Sequence, residues 1–208
     1  MQDVVGIILA AGRSSRMGAF KPLLPFGNTT VVESCIRSLR SGGVASVMVV
    51  LGHRAEDLKA HLSTSDVLFA VNSNENGDMS SSVSCAARQL PKEAKAVVIT
   101  PVDYPAVPPE VVSTLIDKWK EGHLLVKPTW EGRGGHPVVV DLVLRDELLN
   151  LNPDLGLKTV FDSHSNQVSR VPVGSNYIAR DIDTWDDYAS LHLEVFGSLP
   201  VKRNLEPA

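Results

Sequence analysis

The chain has 208 residues, 43% hydrophobic and 21% charged, with a formal net charge of −4. This balance fits one substantial globular domain and excludes both a disordered tract and two cores of comfortable size. With no basic tail and no apolar run near the roughly 18 residues that span a bilayer, neither a nucleic-acid polymer nor a membrane is expected as a partner, and any phosphate ligand has to be met by a local cluster of cations.

The opening "MQDVVGIILAAG" carries an acid where a signal peptide has its basic region, and its apolar run, Val4–Leu9, is of strand length. Similar runs follow at Val44–Leu51, Val67–Val71 and Ala96–Ile99. They are rich in Val and Ile and lack alternation, the pattern of parallel strands covered on both faces. After the first run, Val31, Val32, Cys35, Ile36 and Leu39 share one helical face, opened by the capping box Thr30-x-x-Glu33 and closed by Gly42-Gly43. Further helical patterns cover Ala55–Leu62, Ser81–Leu90 and Pro109–Lys120, the last with proline in its first turn. Strand–helix alternation predicts a three-layer α/β sheet. "KPTWEGRGGHPVVV" then places a glycine-rich turn between strands Leu124–Val126 and Pro137–Val140, a small antiparallel excursion from a mostly parallel sheet. A short helix at Leu142–Leu149, a less regular stretch, a strand at Val168–Val173 and a last helix at Thr184–Val195 complete one domain, residues 1–197. Residues 198–208 have little to bury and are expected to be a flexible tail. Cys35 and Cys85 are too few for a disulfide framework and are expected to be reduced thiols of a cytoplasmic protein.

Ligands of an open α/β sheet bind beyond the carboxyl ends of its strands, which directs attention to "LAAGRSSRMGAFKPLLPFG", Leu9 to Gly27. Gly12 and Gly18 let backbone N–H groups turn inward, and Arg13, Arg16 and Lys21 are the cations available to a triphosphate. The spacing is not that of a Walker loop, because Gly12 and Gly18 are six apart and Lys21 comes three later, before a proline. The dinucleotide fingerprint G-x-G-x-x-G is absent, and no acid closes the second strand, which ends "VLGHR".

The segment resembles the signature L-A-A/G-G-x-S-x-R-M-G-x-x-K-x-L-L-P of the molybdenum-cofactor nucleotidyltransferases (MobA-like NTP transferases). Leu9, Ala10, Ala11, Gly12, Ser14, Arg16, Met17, Gly18, Lys21, Leu23, Leu24 and Pro25 match it. "NENGDMSSSVSCA" resembles the family's G-M-S-S-S segment, "TPVDYPAVPPEVV" its P-x-D-x-P-x-V segment, "GRGGHPVVV" its G-R-x-G-H-P-V segment, and "ARDIDTWDDYASL" its D-I-D-T-P-E-D-Y ending, with Trp185 in place of proline. The resemblance implies a Rossmann-like, GT-A-type nucleotidyltransferase fold and Mg²⁺-dependent transfer of a nucleotide to a phosphate. Leu9, Ala10, Ala11, Gly12, Arg13, Ser14, Arg16, Gly18 and Lys21 would bind the nucleotide, and Ala10-Ala11-Gly12 is similar to the cytidylyl rather than the guanylyl branch. CTP, or another NTP, and molybdopterin are the implied substrates, with a molybdenum hydroxylase or its maturation factor as a possible recipient.

Residue chemistry supports such a reaction. Asp103 follows "AVVIT" and precedes Tyr104-Pro105, so it belongs at a strand's carboxyl end, either as a Mg²⁺ ligand or as a turn aspartate. Asp181 and Asp183 alternate around Ile182 and face one side of an extended segment; a second metal ligand and a cap for the last helix are the two roles open there. Lys21 and the metal would neutralise the α-phosphate, Arg16 and the glycine-loop amides would hold the outer phosphates, and Lys21, Arg16 and Asp103 are the catalytic candidates. Ser80, Ser81 and Ser82 either contact base or ribose or cap a helix. His136 and Arg133, in "GRGGHP", are candidates for the acceptor edge. Other acceptors, such as a sugar phosphate, an isoprenoid precursor phosphate or phospholactate, and a non-catalytic cofactor carrier remain as alternatives.

Overall fold

The structure, a computed structural model, describes residues 3–14, 16–74 and 78–200. Part of the "NENGDM" motif, Ser15 of the glycine loop and most of the expected tail lie outside these residues. In chain order the elements are β1 (Val4–Leu9), β2 (Pro25–Phe26), β3 (Thr29–Thr30), α1 (Val31–Ser41), β4 (Ser46–Leu51), α2 (Ala55–His61), β5 (Leu68–Val71), α3 (Met79–Gln89), β6 (Ala96–Pro101), α4 (Pro109–Lys120), β7 (Leu125–Trp130), β8 (Arg133–Gly134), β9 (Val138–Asp141), α5 (Arg145–Leu149), α6 (Leu157–Ser163), β10 (Val168–Pro172) and α7 (Trp185–Phe196).

The main sheet runs β10-β7-β9-β6-β1-β4-β5, with β8 paired to β7. Neighbours β6, β1, β4 and β5 are parallel, as are β7 and β10, while β9 runs antiparallel to both β6 and β7. The expected excursion is therefore this inserted strand together with the β7–β8 hairpin. Alternate residues of β1 serve opposite layers. Val4 and Ile8 join α1, α2, α4 and α7 in one core, while Val5, Ile7 and Leu9 join α3, α5 and α6 in the other. Continuous apolar strands are the signature of this double burial.

Both halves of the capping box at α1 form: the Glu33 amide donates to the Thr30 hydroxyl, and the Glu33 carboxylate accepts from the Thr30 amide. α3 starts two residues earlier than its serine run suggests, because the Asp78 carboxylate accepts from the Ser81 amide and caps the helix ahead of Met79 and Ser80. α6 has no counterpart among the expected helices. It is seven residues long and buries only Leu157 and Val160, too few apolar positions to reveal a period.

Candidate active site

The carboxyl ends of β1, β4 and β6 carry the glycine loop, and close backbone approach holds it there. The Ala10 amide donates to the Val50 carbonyl and the Val102 amide to the Leu9 carbonyl, so the ladder continues past both strand ends. At Gly52 a Cβ would stand 2.6 Å from the Ala11 carbonyl oxygen, so only glycine lets the end of β4 come this near the loop. Ser14, left-handed at φ 52°, is the hub of the turn. Its carbonyl accepts the amides of Met17 and Gly18, and its hydroxyl accepts the amide of Lys21. This coil returns the chain so that Lys21, 8% exposed, points back into the sheet's end.

There it meets acids from two distant segments. Lys21 Nζ lies 2.7 Å from Asp183 Oδ1 and 3.9 Å from Asp103 Oδ2, and Arg16 Nη1 lies 2.7 Å from Asp183 Oδ2. Asp103, Asp181 and Asp183 each bring a carboxylate oxygen within 4.8 Å of the other two. The Ile182 amide donates to the Asp103 carbonyl, tying the two acidic segments together, while Ile182 is fully buried between its acidic neighbours. Thr184, not Asp183, caps α7: its hydroxyl accepts the Asp187 amide and the Asp187 carboxylate accepts the Thr184 amide, which leaves Asp183 to the cations. Burial pushes the Asp103 carboxyl above its ordinary value against the pull of Lys21, whereas the hydrogen bond from Lys21, aided by the nearby Arg16 charge, holds Asp183 below it.

The acidic trio fits a hard divalent cation. Its donors are all carboxylate oxygens, and Asp103 Oδ1 is buried with no hydrogen-bond partner. An orphaned carboxylate oxygen within such a cluster has the chemistry of a ligand atom.

Leu9, Ala10, Ala11, Gly12, Ser14, Lys21, Ser82 and Asp103 border one cavity of about 230 Å³, so residue 103 and the glycine loop share a mouth. Arg13 borders a second, about 860 Å³, with Gly52, His53 and Asn72–Asn74. Gly18 is left-handed at φ 67° and closes the turn. Ser81 and Ser82 accept from the Asn72 side-chain amide, while Ser80 turns away and donates to the carbonyls of Asn152 and Pro153. A third cavity, about 650 Å³, borders Ser80 and His136 and shares Asp78 and Met79 with the first. Arg133 is exposed on β8 and does not border it; Lys127 and Lys158 do. The sequence pattern passed over both lysines because Lys127 only opens the "KPTWEGRGGHPVVV" stretch, ahead of its glycine-rich motif, and Lys158 falls in none. His136 Nδ1 is buried without a partner, and burial, only partly opposed by the backbone at Ile99, pulls the ring's pKa down to about 4, so the imidazole is neutral at pH 7.

The family model of the MobA-like NTP transferase domain matches residues 6–168. The chain belongs to this family. This MobA-like domain is 27% identical over 190 residues to nicotine blue oxidoreductase of Paenarthrobacter nicotinovorans, covering 87% of this chain and 92% of the relative. It is 31% identical over 119 residues to the bifunctional protein GlmU of Geobacter sulfurreducens; that match takes in 56% of this chain and spans only 25% of GlmU's length. Among solved structures, Rv0371c of Mycobacterium tuberculosis H37Rv is similar at 27% identity with a TM-score of 0.81, covering 91% of this chain and 97% of that one. A crystal structure of Rv0371c in complex with manganese has a TM-score of 0.77 to this chain. The α/β, Rossmann-like nucleotidyltransferase fold expected from the sequence is thereby established. No helix among the described residues is long and apolar enough to cross a membrane.

Proposed function

We propose that this MobA-like domain transfers CMP from CTP to the phosphate monoester of molybdopterin and releases pyrophosphate. One observation carries the nucleotidyltransferase reading: Lys21 of the glycine loop stands between Asp103 and Asp183, residues far away in the chain, at the mouth bounded by Ala10–Gly12. The base and the acceptor rest on less, namely the Leu-Ala-Ala-Gly opening and the "GRGGHPVVV" segment.

In this reading Arg16 and Lys21 exchange Asp183 for phosphate oxygens when the nucleotide enters. Loop amides around Gly12 and Gly18 take the remaining oxygens. Asp103, with Asp181 and Asp183, would hold Mg²⁺ or Mn²⁺, which supplies charge compensation at the phosphates when bound. The acceptor's phosphate has a second pKa of about 6, so it is already a dianion near neutral pH and needs no general base. One of its oxygens bonds to the α-phosphorus in line, the α–β bridging bond breaks, and the electron pair leaves on pyrophosphate. The chain's contribution is alignment and charge. The cavity shared through Asp78 and Met79 would seat the acceptor, with Phe161 and Met79 as apolar walls and Lys127, 5.9 Å from the Phe161 ring centre, as a cation for its anionic groups. Neutral His136 serves its floor.

Pyrophosphate release from CTP and from GTP with Mg²⁺, with and without molybdopterin, tests the proposal. Turnover that requires the pterin and prefers CTP is expected. Asp103→Ala should abolish it while leaving much of the nucleotide affinity; an Asp103→Ala protein of normal activity would refute the metal assignment.

The relative named nicotine blue oxidoreductase supports a second reading, in which the same cavities serve an oxidation–reduction. Oxidation of a reduced nicotinamide dinucleotide without any pyrophosphate release would favour it. The acidic trio favours nucleotidyl transfer, because three carboxylates gathered as for a divalent cation serve a triphosphate and have no part in hydride transfer.

A further inference from the structure

Helix α1 sends three polar side chains inward, toward the loop that carries Asp103. Ser34 Oγ donates to the Pro105 carbonyl at 2.8 Å and Ser38 Oγ to the Val107 carbonyl at 2.6 Å. Between them, Cys35 Sγ lies 3.4 Å from the Val102 carbonyl oxygen and 3.8 Å from that of Tyr104. All three are buried, at 6%, 3% and 8% exposure for Ser34, Cys35 and Ser38. The four carbonyls flank Asp103 on both sides, and buried carbonyls left without donors would turn elsewhere and take the loop with them.

α1 itself is held firmly. Val31, Val32, Ile36 and Leu39 are buried in the core, and the capping box closes the helix at its amino end. A carboxylate that must reach a shared cation is best hung from such an element, since a small displacement of a ligand costs affinity.

We propose that Ser34, Cys35 and Ser38 are positioning residues that set Asp103 in the cation site. The proposal rests on the metal-dependent reading above. Cys35 is its sharpest point. Its thiol bridges the carbonyls on either side of Asp103, and burial together with the Asp103 charge keeps the thiol protonated and therefore a donor. Its place on the apolar face of α1 conceals this role, because a thiol there passes for packing.

Cys35→Val removes the donor with about one methyl group of added bulk, whereas Cys35→Ser keeps a donor. Mn²⁺ affinity, followed by the spin-resonance signal of the free ion in the absence of nucleotide, is measured on both beside the unfolding midpoint and the amide-exchange protection of Ile182. Cys35→Val is expected to weaken Mn²⁺ binding about tenfold or more, the usual cost of losing an outer partner of a metal ligand. It should also lower kcat with little change in KM for CTP and speed exchange at Ile182, with Cys35→Ser restoring most of each loss. If Cys35→Val fails to fold, Ser38→Ala carries the same test. Mn²⁺ affinity within about twofold of the native protein, or equal losses in Cys35→Val and Cys35→Ser, would overturn the proposal. Native protein that takes up no Mn²⁺ but still binds CTP would refute the metal reading itself and leave the glycine-loop reading standing.

Discussion

Lys21 is the residue on which the site's charge balance turns. Its ammonium group is shared unequally by two carboxylates, one of them raised in pKa by burial. Lys21→Ala would leave those carboxylates facing each other, and a loss on the order of 2 kcal/mol of unfolding free energy is expected without metal. Saturating Mn²⁺ should recover much of it, since a ligand of the folded state alone stabilises by mass action; urea unfolding with and without Mn²⁺ checks both. His136 makes a separate prediction. Its pKa is lowered to about 4 in the fold, so between the ordinary histidine value near 6.5 and about 4 the unfolded chain binds the extra proton. Stability should therefore fall as pH drops through that window, by at most about 1.4 kcal/mol per unit. His136→Gln should flatten this slope in unfolding curves taken from pH 7 to 4, and an unchanged slope would show the ring to be solvated.

At the scale of elements, legibility followed locality. The capping box of α1, the strand Val4–Leu9 and the helix Pro109–Lys120 have their causes within a few adjoining residues, and the pattern located each of them. The cap Asp78 was missed because the neighbouring serines carry the same capping signal. Gly52 lay outside every motif, although its partner, the Ala11 carbonyl, is on the glycine loop; a contact across a parallel crossover leaves no local trace. Gly52→Ala is expected to push the loop from the end of β4, costing about 1–3 kcal/mol of stability. It should also weaken CTP binding more than Gly174→Ala does, since a Cβ at residue 174 meets no neighbour within 4 Å. Isothermal titration of the two variants compares them. Thr184→Ala removes a capping hydroxyl and should cost about 1 kcal/mol, seen in chemical unfolding.

Over the whole molecule, the doubly covered sheet was readable because its strands are apolar on both faces. The antiparallel insertion was readable only as a change in texture after residue 124, since strand order depends on partners remote in sequence. The site followed the same rule. Arg16, Lys21 and Asp103 stand in motifs, but the grip of Arg16 and Lys21 on Asp183, 162 residues beyond Lys21, and the lysines of the cavity beside His136 emerge only from the fold.

Helix α7 binds the two ends of the chain more tightly than the family match, which stops at residue 168, would suggest. Asp183 precedes its cap, and from within it Tyr188 donates its hydroxyl to the Pro25 carbonyl while the His192 ring accepts the Gly27 amide. The segment leaving Lys21 is thus braced by the same rod that supplies its counter-charge. A protein shortened to end at Ala179 would retain every residue the family model matches, yet its glycine loop would lose both the brace of α7 and the Asp183 counter-charge. Such a protein should bind neither CTP nor Mn²⁺, and adding the missing piece back as a peptide of residues 180–200 should return some of both.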